Sequence, residues 1–334
     1  MRLGYRAVFG IGIALGALAA CSSDDDGKTS GGSGGAGNGD CFPTAPSCYG
    51  PGGPSGPGHE CLAKTDNSGQ KIWKGRLSQI QVTKPDALAK PFIQSTILDK
   101  GVNFNQPECN SNGKGTFNWL FEFDSESNKL KMGGGLPIEN PGDPGCFAVL
   151  PDAQIPVAPV TIDVTMNGNT FSADGIDLTV PIFVTPGDTT NVVLLPIHGG
   201  KFQGTFSADH NCIGAYNGDK LDPAIDCLAD MSVDPPIYPW ENGGTIEGYI
   251  GVEESDTVFI PDLKNSLCVL LAGAADWKGT DGYCKTSTKW VGGERPQGDW
   301  CIATNQPATA DCADAYRLTS GFAANAYPIS GDCE

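Results

Sequence analysis

Positive charge is scarce in this chain, which has 21 Lys and Arg residues against 39 Asp and Glu and a formal net charge of −18. Proteins that bind nucleic acid place clustered basic side chains against the phosphates. Proteins that adsorb to anionic lipid by charge need such clusters as well. The composition therefore argues against both kinds of partner. Solubility explains the acidic excess, and binding of divalent cations by clustered carboxylates is the sharper alternative.

Closely paired cysteines are also missing, although the chain contains 13 cysteines. No two of them stand in a C-x-x-C pair, which argues against zinc ribbons, thioredoxin-like redox centres and covalently bound haem. With Cys21 set aside, the others form an even set, as in the disulfide framework of an exported protein. We expect short loops to close, which pairs Cys41 with Cys48, Cys212 with Cys227 and Cys312 with Cys333. The disulfide candidates are Cys41, Cys48, Cys61, Cys109, Cys146, Cys212, Cys227, Cys268, Cys284, Cys301, Cys312 and Cys333.

Recognisable catalytic patterns are absent or misplaced. Residues 31–35 spell G-x-S-x-G, but neither a strand before them nor a helix after them is indicated, and a nucleophile elbow requires both. The chain has three histidines, and none stands in an H-E-x-x-H pattern. His198 and His210 flank the predicted strand over residues 201–207 and, with Asp209, form a candidate transition-metal site, although surface or turn histidines are the favoured interpretation. We therefore favour a non-catalytic protein over an enzyme.

The apolar run near the amino end is short. Arg2 and Arg6 are followed by uncharged residues 7–18, whereas a membrane-spanning helix needs about 20 apolar residues. A basic start, an apolar core and small residues before Cys21 are typical of a secretory signal. Residues 18–21, Leu-Ala-Ala-Cys, resemble the lipobox of bacterial lipoproteins. The resemblance implies cleavage before Cys21 and lipid modification of its sulfur.

The same resemblance implies a location. In Gram-negative lipoproteins an Asp after the cysteine commonly retains the protein at the inner membrane, and here the residue is Ser22. We therefore expect an outer-membrane protein, anchored through its lipid, that faces the periplasm or the cell surface. The membrane is the expected partner, and a glycan or another envelope protein is the second expectation.

Composition divides the chain into five segments. Residues 1–20 form the signal peptide, and residues 21–40 hold the lipidated cysteine and a disordered tether rich in Gly, Ser and Asp. Residues 41–63 form a linker rich in Pro, Gly and Cys. We expect a β-rich domain over residues 64–262 and a cysteine-rich cap or subdomain over residues 263–334.

Alternating apolar residues predict strands in the β-rich segment. Residues 117–123 place four aromatic rings on one face, which we interpret as a core strand in preference to an aromatic binding face. Five apolar residues alternate over residues 176–184. Pro181 falls on the opposite face of that stretch, which indicates an edge strand or a bulge.

Turns and helices complete the predicted fold. A hairpin is expected to join residues 245–252 to residues 256–260, and helices are expected near residues 261–273 and 309–318. Turn residues recur at short intervals between the strands. The pattern predicts a mainly β, disulfide-rich fold, as an antiparallel β-sandwich or jelly-roll-like domain with one or two short helices.

Residues 209–214 begin like a calcium loop, with oxygen-bearing side chains at positions one and three and glycine at position six. Lys220 stands where the bidentate glutamate belongs, so the EF-hand interpretation fails. A looser Ca²⁺ site is the remaining alternative, and we expect no other cofactor. Its candidate ligands are Asp209, Asn211, Asp219 and Asp222.

Three tryptophans, Trp277, Trp290 and Trp300, stand beside polar, turn-forming residues. Exposed indole rings on a β scaffold are suited to stacking on sugar rings, while a ring beside a cysteine often packs on a disulfide. The sequence as a whole predicts a lipid-anchored envelope protein with a non-catalytic binding or structural role. The alternative is a polysaccharide-active hydrolase or a glycan-binding module, although no carboxylate pair can be singled out.

Overall fold

The chain is described by a computed structural model. Placement is given for residues 48, 60–94, 98, 117–137, 143–184, 188, 190–225, 227, 229–272, 282–287, 290 and 295–333. All of these residues belong to one compact unit, residues 37–334. Strands dominate this unit, so the mainly β prediction is confirmed. Cys21, Cys41, Cys109 and Trp277 lie outside the described residues, as do the predicted signal and tether.

Eighteen strands occur in the described ranges. They are β1 (Ile72–Lys84), β2 (Asn118–Asp124), β3 (Lys129–Gly135), β4 (Gly145–Ala148), β5 (Val160–Asp163), β6 (Thr165–Asn167), β7 (Thr170–Phe183), β8 (Val192–Thr205), β9 (Cys212–Ile213), β10 (Ala215–Tyr216), β11 (Trp240–Glu241), β12 (Gly244–Gly251), β13 (Phe259–Ile260), β14 (Asn265–Ser266), β15 (Trp300–Cys301), β16 (Gln306–Pro307), β17 (Ala315–Ala326) and β18 (Ile329–Cys333).

Fourteen of these strands form one curled sheet, whose main path runs β18-β4-β3-β2-β1-β17-β12-β8-β7-β6. Strands β5, β9, β15 and β16 attach beside this path. The described pairings are antiparallel except for β18 and β4, which run parallel. The longest strands, β7 and β8, form a hairpin that pairs Thr170 with Thr205 and Phe183 with Val192. The sheet is therefore mixed but largely antiparallel.

The sheet curls until β3 packs against β7. Gly134 of β3 comes so close to Pro181 of β7 that a Cβ atom added to Gly134 would lie 2.2 Å from the proline Cγ. No ladder joins these two strands in the described part of the sheet. We call this contact between Gly134 and Pro181 the seam. A proline cannot donate to a ladder, so it suits a strand edge. Strand β6 pairs only with residues 170–172 of β7, so among the described strands the part of β7 that contains Pro181 pairs with β8 alone, as the edge prediction expects.

The inner face of the curl carries the main core. Trp119, Phe121 and Phe123 of β2 belong to it, and Trp73 stacks on Phe123 with 4.9 Å between ring centroids. This confirms that the aromatic stripe is a core strand. Leu120 points to the other face and joins a second buried cluster that includes Trp240 and Tyr327. Both faces of this part of the sheet are therefore covered.

Five disulfide bonds are present among the described cysteines, which confirms the disulfide-rich prediction. The expected pairings are wrong. For Cys48, Cys212 and Cys227 the folded sheet brings distant segments together, whereas the prediction considered only nearness along the chain. Cys312 instead bonds to Cys301, which is nearer in the chain than the expected Cys333. The observed bonds are Cys48–Cys227, Cys61–Cys212, Cys146–Cys333, Cys268–Cys284 and Cys301–Cys312.

The expected hairpin after β12 is wrong. Helix α2 (Val252–Ser255) follows β12 directly, and β13 pairs with β14 instead of β12. The helix expected near residues 261–273 is partly confirmed, since a 3-10 turn at Pro261–Leu263 and helix α3 (Leu267–Leu271) fall within it. Helix α1 is the short segment Pro91–Ile93, and a further 3-10 turn lies at Pro223–Ile225. No helix in the described ranges has the length and apolar character that a membrane crossing requires.

The helix expected over residues 309–318 is also wrong, because β17 begins at Ala315. Strand β17 consists largely of small residues, which are weak strand formers, and it lies between β1 and β12 in the sheet. Residues 263–334 were expected to form a cap. They contribute this inner strand to the sheet as well as α3 and two disulfide bonds.

Candidate functional site

An apolar cavity of about 380 Å³ lies inside the curl of the sheet. Strands β1, β7, β8, β12 and β17 contribute to its lining. Four buried side chains of the main core, Leu77, Trp119, Met132 and Phe202, form its floor. The cavity therefore borders the main core.

The walls of the cavity are apolar side chains that folding has buried only in part. Side chains of this type are usually buried completely when they lie on the inner face of a sheet. Here their uncovered surface faces a common space, so it forms a continuous apolar wall. Representative wall residues are Ile80, Val82, Leu178, Leu195, Ile197 and Leu318.

Two apolar stripes that the sequence predicted as core strands contribute to this cavity. All five residues of the β7 stripe line it, from Ile176 through to Val184. On the β2 stripe, Phe117 and Trp119 line the cavity, while Phe121 and Phe123 pack in the core. Alternation alone does not distinguish a strand that packs in the core from one that lines a cavity, because in both cases every second side chain points inward.

The three charged residues in the described lining of the cavity are each paired. Lys84 Nζ lies 2.7 Å from Asp86, and this hydrogen bond raises the pKa of Lys84. Lys201 Nζ lies 3.7 Å from Asp174, and Glu247 accepts a hydrogen bond of 2.8 Å from Arg317. Because an unpaired charge is costly to remove from water, these pairs leave an essentially neutral lining.

His198 lies in a separate polar cluster on β8. Its Nε2 is 3.0 Å from both carboxylate oxygens of Glu254, and its Nδ1 is 3.6 Å from Asp177. Tyr249 lies beside the imidazole, and burial raises the pKa of Tyr249, with nearby carboxylates adding to the effect. His210 instead stacks on Trp73 with 3.6 Å between ring centroids. The structure therefore does not bring His198 and His210 together, and the candidate transition-metal site is not formed.

The calcium candidates Asp209 and Asn211 are hydrogen-bonded to each other. Asp209 accepts hydrogen bonds from the Ser207 hydroxyl at 2.5 Å and from Asn211 Nδ2 at 2.9 Å. Burial alone raises the pKa of Asp209, but these hydrogen bonds outweigh it and hold the pKa below its usual value. Asn211 Oδ1 accepts from the backbone N–H of Asn67. The two side chains therefore brace the turn that precedes Cys212.

The other two calcium candidates lie further along the chain. Asp219 is exposed, and Asp222 accepts a hydrogen bond from the backbone N–H of Ala224. Where side chains are placed, the groups compact enough to hold a metal are Asp256 with Cys268 and Cys284, and Asp314 with Cys301 and Cys312. The cysteines of both groups are joined in disulfide bonds, so their sulfurs are not available as thiolate ligands.

Two of the three tryptophan candidates are described, and their surroundings differ. Trp290 packs against the apolar cluster around α3. Trp300 is half-buried on β15, where its Nε1–H donates to Asn305 Oδ1 at 2.9 Å. The Arg317 guanidinium lies over the Trp300 ring at 4.9 Å from the centroid. Of these two rings, Trp300 has the polar neighbours that a sugar-binding surface requires.

The cavity is the strongest indication of function in the described part of the chain. Its volume falls within the range of about 300–1,000 Å³ that is typical of small-molecule sites. No protein-family model, curated protein or solved structure matches this chain. A functional interpretation therefore depends on the chemistry of the cavity itself.

Proposed function

We propose that this protein is a lipid-anchored, non-catalytic binding protein of the bacterial envelope that holds an apolar small molecule in its cavity. The observation that carries the proposal is the wall of half-buried aliphatic side chains around a space of about 380 Å³. Aliphatic side chains bind apolar surface but transfer no protons, so the lining favours binding over catalysis.

The size of the cavity sets the size of the ligand. An apolar cavity of about 150 Å³ in another protein takes up benzene, so in proportion this one accommodates roughly 15 non-hydrogen atoms. Burial of apolar surface contributes about 25 cal/mol per Å². The ligand therefore gains its affinity from the walls and keeps any polar group outside them.

The binding test uses a neutral naphthylamine fluorophore, whose emission rises in apolar surroundings. We expect saturable binding of one fluorophore per protein. Replacement Leu178→Trp fills part of the cavity and is expected to weaken binding about tenfold or more. Thr179→Trp is the matched control, because the next residue on β7 points to the opposite face. Binding that does not saturate, or that both variants weaken equally, contradicts the proposal.

The proposed location rests on the amino-terminal sequence. A basic start, an apolar core and Leu-Ala-Ala-Cys support cleavage before Cys21 and lipid modification there. The disulfide bonds support an oxidising compartment outside the cytoplasm, and Ser22 supports the outer membrane. Mass spectrometry of the native protein tests the anchor. We expect residues 1–20 to be absent and Cys21 to carry acyl chains, and an unmodified Cys21 would refute the anchor.

Trp300 supports a second candidate function, the binding of a glycan. The ring is half-buried, its N–H is held by Asn305, and Arg317 beside it pairs across the sheet with Tyr249. Sedimentation with insoluble polysaccharides tests this candidate, with Trp300→Ala expected to abolish binding and Leu178→Trp expected to leave it unchanged. Released reducing ends would instead indicate the hydrolase alternative.

A further inference from the structure

The cavity is long in the direction of the strands. Its β7 wall runs from Ile176 to Val184, and its β8 wall runs from Val193 to Phe202. Residues on one face of a strand are spaced by about 6.6 Å, so the β7 wall alone extends over about 26 Å. Both ends of these strand segments therefore border the same space.

The cavity is also elongated. A volume of about 380 Å³ that extends along a wall of about 26 Å is longer than it is wide. We call this elongated cavity the channel, and a linear chain fits along it.

The long β7 wall suits a flexible chain better than a flat ring, although Phe117 and Trp119 also line the cavity. The cavity-facing residues of β7, such as Leu178, Val180 and Ile182, are branched aliphatic side chains. Such side chains offer no flat face for stacking, which is the arrangement that aromatic ligands prefer. The neighbouring charges are paired among themselves, so the polar end of a ligand gains nothing by entering.

We infer that the ligand of this cavity is one acyl chain, from a free fatty acid or a single-chain lipid, and this inference rests on the function proposed above. The capacity of about 15 non-hydrogen atoms accommodates one chain and not two. An acyl chain spans one leaflet, half of a hydrocarbon core about 30 Å thick, which is shorter than the cavity wall. The chain lies along β7 and β8, and its head group stays in water.

The test is a chain-length series of saturated fatty acids from eight to eighteen carbons, competing with the naphthylamine fluorophore. Each added methylene is expected to tighten binding about fourfold, because its burial contributes about 0.8 kcal/mol. The gain is expected to end once the channel is filled. Anthracene carboxylic acid is the ring control, since it matches tetradecanoic acid closely in non-hydrogen atoms, and we expect it to bind at least tenfold more weakly.

The length of the channel is expected to set the chain length at which affinity stops increasing. Leu178→Trp places a large ring midway along the β7 wall, so the plateau is expected to move to shorter chains while the shortest acids still bind. Leu195→Trp on β8 repeats the test if the first variant fails to fold, and Thr179→Trp is the control that leaves the plateau in place. Circular dichroism checks the fold of each variant.

Head-group comparison separates the sources of the chain. Tetradecanoic acid and a lysophospholipid with the same chain are expected to bind within about threefold of each other, because neither head group enters. Affinity that is independent of chain length, or equal affinity for the ring acid, would overturn the acyl-chain inference while the fluorophore still binds. Failure of the fluorophore and of every acid would overturn the proposed function itself.

Discussion

Asp256 illustrates how one buried carboxylate organises a segment with little secondary structure. It is 2% exposed and accepts hydrogen bonds from the Ser266 hydroxyl at 2.6 Å, the Cys284 N–H at 2.6 Å and the Lys285 N–H at 2.9 Å. Hydrogen bonds to a charged group are stronger than neutral ones. The carboxylate thus connects the residue after α2 to β14 and to the bridge between Cys268 and Cys284.

Replacement Asp256→Ala is expected to lower the free energy of unfolding by about 4 kcal/mol, because it leaves a hydroxyl and two N–H groups buried without their acceptor. Asp256→Asn keeps an acceptor oxygen and is expected to lose about half as much. Urea denaturation measures both, with exposed Asp219→Ala as the control, which should change stability by less than about 0.5 kcal/mol. Equal losses in all three variants would contradict the assigned role of Asp256.

Asp209 makes a pH-dependent contribution. Its pKa in the folded protein lies below its usual value, so the ionised carboxylate stabilises the fold at neutral pH. This contribution is lost as the pH falls through the folded-state pKa. We expect the melting temperature of the wild type to exceed that of Asp209→Asn at about pH 7, and the difference to shrink as the pH is lowered through the folded-state pKa of Asp209. A difference that persists or grows in acid would contradict this assignment.

At the scale of elements, the seam explains how a sheet with two free ends encloses a space. The β3 side of the seam is Gly134, the middle of three consecutive glycines, and the β7 side is Pro181. Glycine removes the side chain that would hold the strands apart, and proline fills the gap without needing a ladder partner. The seam thus depends on shape and not on hydrogen bonds.

Replacement Gly134→Ala is expected to destabilise the protein by about 1–3 kcal/mol, because the new methyl group would overlap Pro181. The double replacement Gly134→Ala with Pro181→Ala should recover part of that loss, which thermal denaturation in a double-mutant cycle measures. Gly251→Ala is the matched control, since a Cβ atom there meets its nearest neighbour at an ordinary 3.6 Å. Strict additivity at Gly134 and Pro181 would show that the two strands do not touch there.

Strands with strong alternation could be predicted from the sequence, and strands of small residues could not. The aromatic stripe of β2 and the aliphatic stripe of β7 both indicated their strands. In contrast, β17 reads Ala-Tyr-Arg-Leu-Thr-Ser-Gly-Phe-Ala-Ala-Asn-Ala, and its alanines carry little strand preference. The position of β17 in the sheet is set by its neighbours, β1 and β12. A local sequence pattern contains no information about such distant neighbours.

For the whole molecule, three disulfide bonds join segments that are far apart in the chain. Cys146 and Cys333 are separated by 187 positions, whereas Cys301 and Cys312 are separated by 11. The even number of cysteines other than Cys21, together with the amino-terminal export signal, predicted that disulfide bonds form. Their pairing was beyond the sequence, because it follows from the long-range contacts of the finished sheet.

In the chain-entropy description, removal of the Cys146–Cys333 bond costs up to about 5 kcal/mol and removal of Cys301–Cys312 about 3 kcal/mol. We therefore expect the double replacement of Cys146 and Cys333 by Ser to lower the denaturation midpoint more than the same change at Cys301 and Cys312. Urea denaturation under oxidising conditions measures the difference. A larger effect from the short loop would contradict the expectation.

The candidate site could be predicted from the sequence only in its parts. Individual wall residues such as Leu178 lay in predicted strands, yet the space they enclose depends on the curl of the sheet and on the seam. The number of apolar residues gives no sign of the cavity, because a filled core and a lined cavity use the same side chains. The partial exposure of those side chains is visible only after folding.

The inner position of β17 has a consequence for biosynthesis. A ribosome releases residues 315–326 only after nearly all the other strands have emerged. Until then, β1 and β12 lack the strand that lies between them in the finished sheet. A nascent chain halted before residue 315 would expose two unpaired strand edges. The central part of the sheet therefore assembles only once residues 315–326 have been released, and a chain terminated before residue 315 is expected to aggregate and not to form a smaller working version.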